Sequence, residues 1–272
     1  MPTGDAMDWS NVWIFPLLGV IAGILAGLLG IGGGLVLVGA LVWLLPLYGV
    51  PAEAAMHAAL ASSLASIVLT AASSARSHHL RGSVMWPTVA WMVPGLLIGG
   101  WLGSGFAVAL DDAALRWIVA CYCLLAGAQM AFGGVRNGGR GDAPPRGLPL
   151  TAAGTGIGAV SAVVGIGGGS MTVPLLVWLG SPPVRAVGTS SACGVAIGVA
   201  SALGYALHAP AGALPAHAIG YVYLPAAIGV AAASVLAAPW GTRLAHRLSG
   251  RALRRVFALF MILVAVSIVI AK

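Results

Sequence analysis

Gly30-Ile-Gly-Gly-Gly34 and Gly165-Ile-Gly-Gly-Gly169 are one pentapeptide written twice, 135 residues apart. Consecutive glycines continue a helix poorly, each costing about 1 kcal/mol against alanine. Both runs therefore read as breaks ahead of new helices. A helix starting after such a break aims its unpaired first-turn N–H groups and its positive dipole end back at the glycines. With no side chain in the way, that arrangement can hold a small anion. Gly32, Gly33 and Gly34 in one copy, and Gly167, Gly168 and Gly169 in the other, are the expected cradle. The same glycines would also permit close helix packing. Matched duplication, followed each time by a short apolar stretch, favours the ligand reading. A dinucleotide fingerprint is excluded, because Gly-x-Gly-x-x-Gly needs glycine where Leu35 and Ser170 stand and no strand precedes.

Small hydroxyl clusters come next. Ser62 and Ser63 with Ser66, and Thr189 and Ser190 with Ser191, stand at matched places in the two halves. Ser62, Ser63, Thr189 and Ser190 could donate to an oxyanion, or cap helices and bond between them. Ser74-Ala-Arg76-Ser-His78-His79 ends an apolar segment. Cations there suit the helix dipole, and Arg76 is a candidate attractor for anions. Adjacent histidines point to different helix faces, so a metal site is not expected. His57, His208 and His217 read as boundary residues. Cys121, Cys123 and Cys193 lie in apolar runs at spacings that suit neither zinc nor redox chemistry, and read as small core residues. No acidic residue lies deep in an apolar run, which argues against a cation carrier and against a serine triad. No catalysis and no cofactor are expected.

These residues must be held by elements that live in lipid. Of 272 residues, 60% are hydrophobic and only 7% are charged, where soluble domains carry about 25% charged. A mean hydropathy of +1.01 excludes a largely water-facing surface. The alternation of a membrane β-barrel is absent. The net charge of +7 does not point to nucleic acid, because the arginines sit in short loops between apolar runs, where they act as topology signals. The first ten residues carry Asp5 and Asp8 and no basic residue, unlike a secretory signal peptide.

Apolar runs fall at 12–29, 35–48, 58–75, 84–110 and 114–134. After a Gly-, Arg- and Pro-rich linker at 135–147 they recur at 148–164, 170–179, 186–207, 218–238 and 252–271. The expected fold is all-α and polytopic: a repeat at 1–134, the linker at 135–147, and a second repeat at 148–272. Each repeat holds four to five helical segments, with glycine-broken hairpins. Trp43 and Trp178 keep the glycine offset, Ala59-Leu-Ala-Ser-Ser63 matches Ala186-Val-Gly-Thr-Ser190, and Ala114-Leu-Arg116 matches Ala252-Leu-Arg254.

With the N-terminus outside, eleven of the thirteen basic residues fall inside, whereas Asp5, Asp8, Glu53, Asp111 and Asp112 fall outside. Both termini are then periplasmic and the linker cytoplasmic. The acidic loop at Asp111 corresponds to the basic loop before Ala252. Equivalent loops with opposite charge mean inverted repeats, a recurrent plan of secondary transporters. The segments at 35–48 and 170–179 are short for a crossing, and each could be the returning arm of a hairpin.

Taken together, the chain resembles the sulfite exporter TauE/SafE family of membrane transporters. The residues that carry the likeness are Gly30–Gly34, Ala61-Ser-Ser-Leu64, Ser73-Ser-Ala-Arg-Ser-His-His79 with Gly82 and Trp86, Pro94-Gly95, Gly165–Gly169 with Pro174, and Ala186–Ser190. The resemblance implies export of sulfite or small organosulfonate anions across a bacterial inner membrane. It also implies seven or eight spans, which ten segments meet if the short ones are hairpin arms. The partners are then a small anion, the bilayer and, optionally, further copies of the chain. A channel-like anion conductor and a non-transporting scaffold subunit are the alternatives.

Overall fold

The computed structural model describes residues 13–29, 33–132, 144–214, 217–245 and 250–270. It contains ten α-helices among these residues: α1 (Ile14–Leu29), α2 (Gly34–Leu44), α3 (Ala55–His79), α4 (Trp86–Val108), α5 (Asp112–Phe132), α6 (Leu148–Val164), α7 (Gly169–Trp178), α8 (Pro183–Leu207), α9 (Leu224–Ala245) and α10 (Gly250–Ile270). Each expected apolar run overlaps one of them, several of the helices extending past the run at one or both ends. The run at 218–238 differs at its start. There Ala218–Ile219 and Val222–Tyr223 pair as a small antiparallel hairpin around Gly220, and the helix begins only at Leu224. Among the described residues, four helices are long and apolar enough to cross a membrane: 52–79, 86–108, 183–207 and 224–244.

All eight tryptophans among the described residues are exposed, including Trp13, Trp117, Trp178 and Trp240. The interior is filled instead by Ala, Leu, Val and small hydroxyl residues. That distribution inverts a water-soluble protein and suits a surface that meets lipid and its interfaces. Cys123 and Cys193 are buried as expected. Cys121 is not a core residue, because its face of α5 points outward.

At the centre, α3 and α8 pack antiparallel. Ser74 bonds Ser191 across the pair at 3.0 Å. Gly188 faces His78, Gly194 faces Ala71, and Gly198 faces Leu64 and Val68. These contacts run in opposite chain directions along two helices that carry matched sequence. Flanking them, α1 lies along α9 and α4 lies along α6. Gly19, Gly23 and Gly27 seat on the backbone of Val230, Ser234 and Ala238. Gly95, Gly99 and Gly103 seat likewise on Thr151, Thr155 and Ala159. Glycine every fourth residue lines one helix face, so the two backbones can touch.

The chain doubles back at each glycine run. Gly33 lies against the backbone of Ala22, and Tyr48 packs tilted against Phe15 with ring centroids 5.1 Å apart. In the second half, Gly168 returns beside Ile157 and Ser161 of α6. α2 and α7 both begin beside the middle of the α3–α8 pair, at Ile67 and Ile197 respectively, and leave toward opposite ends.

Those ends differ in charge. Arg76 and Arg81 close α3, Arg185 opens α8 beside them, and Arg243 closes α9 next to the Gly27–His78 contact. Arg146 precedes α6, where Pro145 accepts from Thr88 at 2.8 Å. At the other end Asp112 accepts from the Met56 amide at 2.7 Å and from Arg116 Nε at 2.5 Å. Asp111 caps α5 through Ala114 N–H. The acidic loop read from sequence is thus also a pair of helix caps, as carboxylates at N-termini should be. Arg136 and Arg140 of the linker, and the arginines at 247–255, lie outside the described side chains.

Candidate functional site

The two glycine motifs meet inside the bundle. A methyl placed on Gly34 would run into the Gly165 carbonyl oxygen and lie 3.1 Å from Ile166 Cα. One residue serves both: Ser63 Oγ lies 3.1 Å from Gly34 O and 3.1 Å from Gly165 O. Ser63 is wholly buried. Its single proton is shared between a carbonyl of each half, so it ties the motifs to α3.

Ser62 and Thr189, matched by sequence, do matched work. Ser62 Oγ accepts from Tyr223 N–H at 2.9 Å, just before α9. Thr189 Oγ1 accepts from Met85 N–H at 3.0 Å, just before α4. Each central helix thereby anchors the start of a helix from the other half. Ser190 is buried beside Thr189. Ser66 and Thr70 return their hydroxyls to carbonyls one turn earlier. Much of the expected hydroxyl donor set is therefore engaged in holding the bundle together. Ser63→Ala should leave two buried carbonyls short of a donor and lower stability by about 1–3 kcal/mol. A thermal midpoint in detergent equal to that of the unaltered chain would show that the latch is dispensable.

The glycines differ in their surroundings. Gly32 lies outside the described residues. Gly33 and Gly168 are the N-cap residues of α2 and α7, both left-handed, with φ of 71° and 74°. Only glycine adopts that conformation routinely. Gly165 ends α6 at φ 76°, where its N–H and that of Ile166 both donate to Ser161 O. In α7 the first backbone bonds are given by Met171 and Thr172, both to Gly168 O. Gly169 and Ser170 stand ahead of that ladder, where first-turn N–H groups have no intrahelical carbonyl to reach. Gly167 places its carbonyl beside Gly194 of α8.

Arg76 is not part of this centre. It is exposed near the end of α3, thirteen residues from Ser63, or about 20 Å along a helix axis. The adjacent histidines separate as expected. His78 is buried, with Nε2 3.2 Å from Gly27 O, whereas His79 accepts from Trp86 Nε1 on the outside. His208 is a boundary residue beside Trp101, and His217 takes a left-handed φ of 70° at the hairpin. His57 lies beside the Leu110–Asp112 loop at one end of the bundle, but is not exposed there. It is buried at the start of α3, stacked on Tyr221 and 4.0 Å from Asp112. Desolvation, and then the nearby Asp112 carboxylate, push the Tyr221 phenol above its ordinary value. Among the described residues no group of three or more His, Cys, Asp or Glu could hold a metal.

Three residues escaped the sequence reading. Ser161, Thr172 and Ser201 are each wholly buried, and each has a hydroxyl with no hydrogen-bond partner. Their type does not set them apart among the small residues of α6, α7 and α8. Only the packing around them isolates the oxygen.

Comparison with known proteins agrees with the geometry. The family model described as sulfite exporter TauE/SafE matches residues 15–268. A protein of Haemophilus influenzae described as a probable membrane transporter protein is 35% identical over 92% of this chain and 95% of its own. Proteins with the same description from Xylella fastidiosa and Methanocaldococcus jannaschii are 29% and 26% identical, covering 92% and 94% of this chain and 92% and 98% of theirs. No solved structure is a significant match. The paired glycine breaks, the lipid-facing tryptophans and a match along nearly the whole chain have one reading: this protein belongs to the sulfite exporter TauE/SafE family of membrane transporters.

Proposed function

We propose that this transporter exports small sulfur oxyanions, sulfite or organosulfonates, by alternating access across a bacterial inner membrane. The observation that carries this reading is the meeting of the two glycine motifs on Ser63. α2 and α7 start there and leave in opposite directions, so their positive dipole ends converge where a carried anion needs compensation. A sulfonate or sulfite offers three acceptor oxygens and suits N–H and O–H donors without a metal. The absence of a carboxylate among the described residues of that centre fits an anionic cargo.

The repeats 1–134 and 148–272 are inverted in the bilayer. Segregation of Arg76, Arg81, Arg185 and Arg243 from Glu53, Asp111 and Asp112 supports cytoplasmic placement of the basic end. Both termini are then periplasmic and the linker 135–147 cytoplasmic. The moving bodies are not the sequence halves, because the glycine-seated pairs α1–α9 and α4–α6 each join helices of both halves. The centre opens by displacement of one such pair against the other about α3 and α8.

The test is uptake of radiolabelled sulfite and of a sulfonate into proteoliposomes under anaerobic conditions. Saturable flux with accelerated exchange against internal anion is the expected result. Unitary currents without exchange would replace the carrier by a channel. No flux of any of these anions would overturn the transport assignment for this substrate class.

A further inference from the structure

Gly33 and Gly168 are alike in backbone and unlike in what faces them. At Gly33, the three nearest atoms to an added methyl all belong to the backbone of Ala22. At Gly168 they are side-chain atoms: Ile197 Cδ1, Ile157 Cγ2 and Ser161 Oγ, the last at 3.3 Å. Ser161 is wholly buried and its hydroxyl has no partner. An unpaired buried hydroxyl is destabilising, and this one lies beside Gly168, the N-cap of a ten-residue helix. One turn along α7, Thr172 is a second wholly buried hydroxyl with no partner. The glycine offset of 135 puts Ala26 and Leu37 at the corresponding places of the first half. Both are apolar and wholly buried.

We infer that the oxyanion is held off the pseudo-symmetry axis, in the second half alone, by the Ser161 hydroxyl and the leading N–H groups of α7. This rests on the anion-carrier reading above and narrows it to one motif of the two. The Ser161 O–H donates to one oxyanion oxygen and the Gly169 and Ser170 N–H groups face another. Ile157 and Ile197 supply the apolar wall that keeps water from competing. Gly33 is closed by the α1 backbone and acts as a structural counterpart. An inverted-repeat carrier thus has a single asymmetric site, and its cargo is oriented with its charge toward α7.

The experiment is calorimetric titration of purified full-length protein in detergent with sodium sulfite, oxygen excluded, and with methanesulfonate. Ser161→Ala is compared with the unaltered chain, and both melting midpoints are recorded without ligand. Expected is at least a tenfold loss of affinity with a ligand-free midpoint that does not fall, since Ser161 Oγ bonds nothing in the fold. Equal affinity in the variant overturns the inference and leaves the carrier assignment standing. A ligand-free midpoint that falls along with affinity makes the hydroxyl structural and also overturns it. If the unaltered chain binds neither sulfur anion, the proposed cargo falls. The same pair is then titrated with phosphate and sulfate, where Ser161-dependent binding upholds the site and no binding overturns it as well.

Discussion

Gly33→Ala is expected to cost the protein its fold, whereas Gly168→Ala should fold and lose its anion. Both glycines hold a left-handed φ, so alanine pays about 1–2 kcal/mol at either place. The difference lies in what the new methyl meets. At Gly33 it meets the carbonyl oxygen, carbonyl carbon and Cα of Ala22. Backbone cannot rotate away, so α1 and α2 must separate, adding an overpacking cost of about 1–3 kcal/mol or more. At Gly168 the closest atom is the end of the Ile197 side chain, with Ile157 and Ser161 at 3.3 Å. A rotamer change relieves that. The methyl then occupies the space between Ser161 Oγ and the start of α7, where an anion would accept. Loss of a charge-assisted hydrogen bond there weakens binding on the order of ten- to a hundredfold. Size-exclusion profiles and sulfite titration of the two variants check both halves. A monodisperse Gly33→Ala protein, or a Gly168→Ala protein with full affinity, would contradict them.

In sequence the two glycine runs are equivalent, and the contrast between Gly33 and Gly168 arises only from what packs against them. What repeats in sequence was legible: the pentapeptide, the matched hydroxyls and the alternation of apolar runs. Lipid as solvent was legible too, because 7% charge leaves no other surface. The opposed ends of the bundle followed from where arginines and aspartates fall along the chain. The partners of Ser62 and Thr189 were not legible. Tyr223 lies 161 residues from Ser62, and Met85 lies 104 residues from Thr189. A capping hydroxyl and a ligand hydroxyl look the same until the donor is placed. Ser161 was missed for the converse reason. Its distinction is a bond it does not make, which depends on Ile157, Ile197 and Gly168 coming together. The hairpin at Ala218 was hidden because a short apolar run before a helix carries the same composition as the helix.

Glycine at every fourth position lines the contact faces of α1 and α4, and its energetic weight appears in a comparison within one helix pair. Gly99→Ala in α4 and Gly156→Ala in α6 make the same chemical change in two helices that lie along each other. A methyl on Gly99 would enter the backbone of α6, striking Thr155 O and lying 2.8 Å from Thr155 C and 2.9 Å from the Ala159 amide nitrogen. A methyl on Gly156 would meet nothing within 4 Å. In the absence of packing, alanine favours a helix over glycine by about 1 kcal/mol, so Gly156→Ala should be neutral to stabilising. Gly99→Ala should be destabilising by about 1–3 kcal/mol net, because α4 must rise off α6 along the whole Gly95–Gly103 face. In lipid that separation is not resisted by a hydrophobic effect, since tails replace the lost contacts. Backbone-to-backbone approach is itself what holds such helices together. Thermal midpoints in one detergent should therefore move in opposite directions for the two variants, or fall for Gly99→Ala alone. If both fall equally, helix propensity and close approach are not what fix α4 on α6. The bodies proposed to move during transport would then have to be drawn differently, because α4 and α6 could part without penalty.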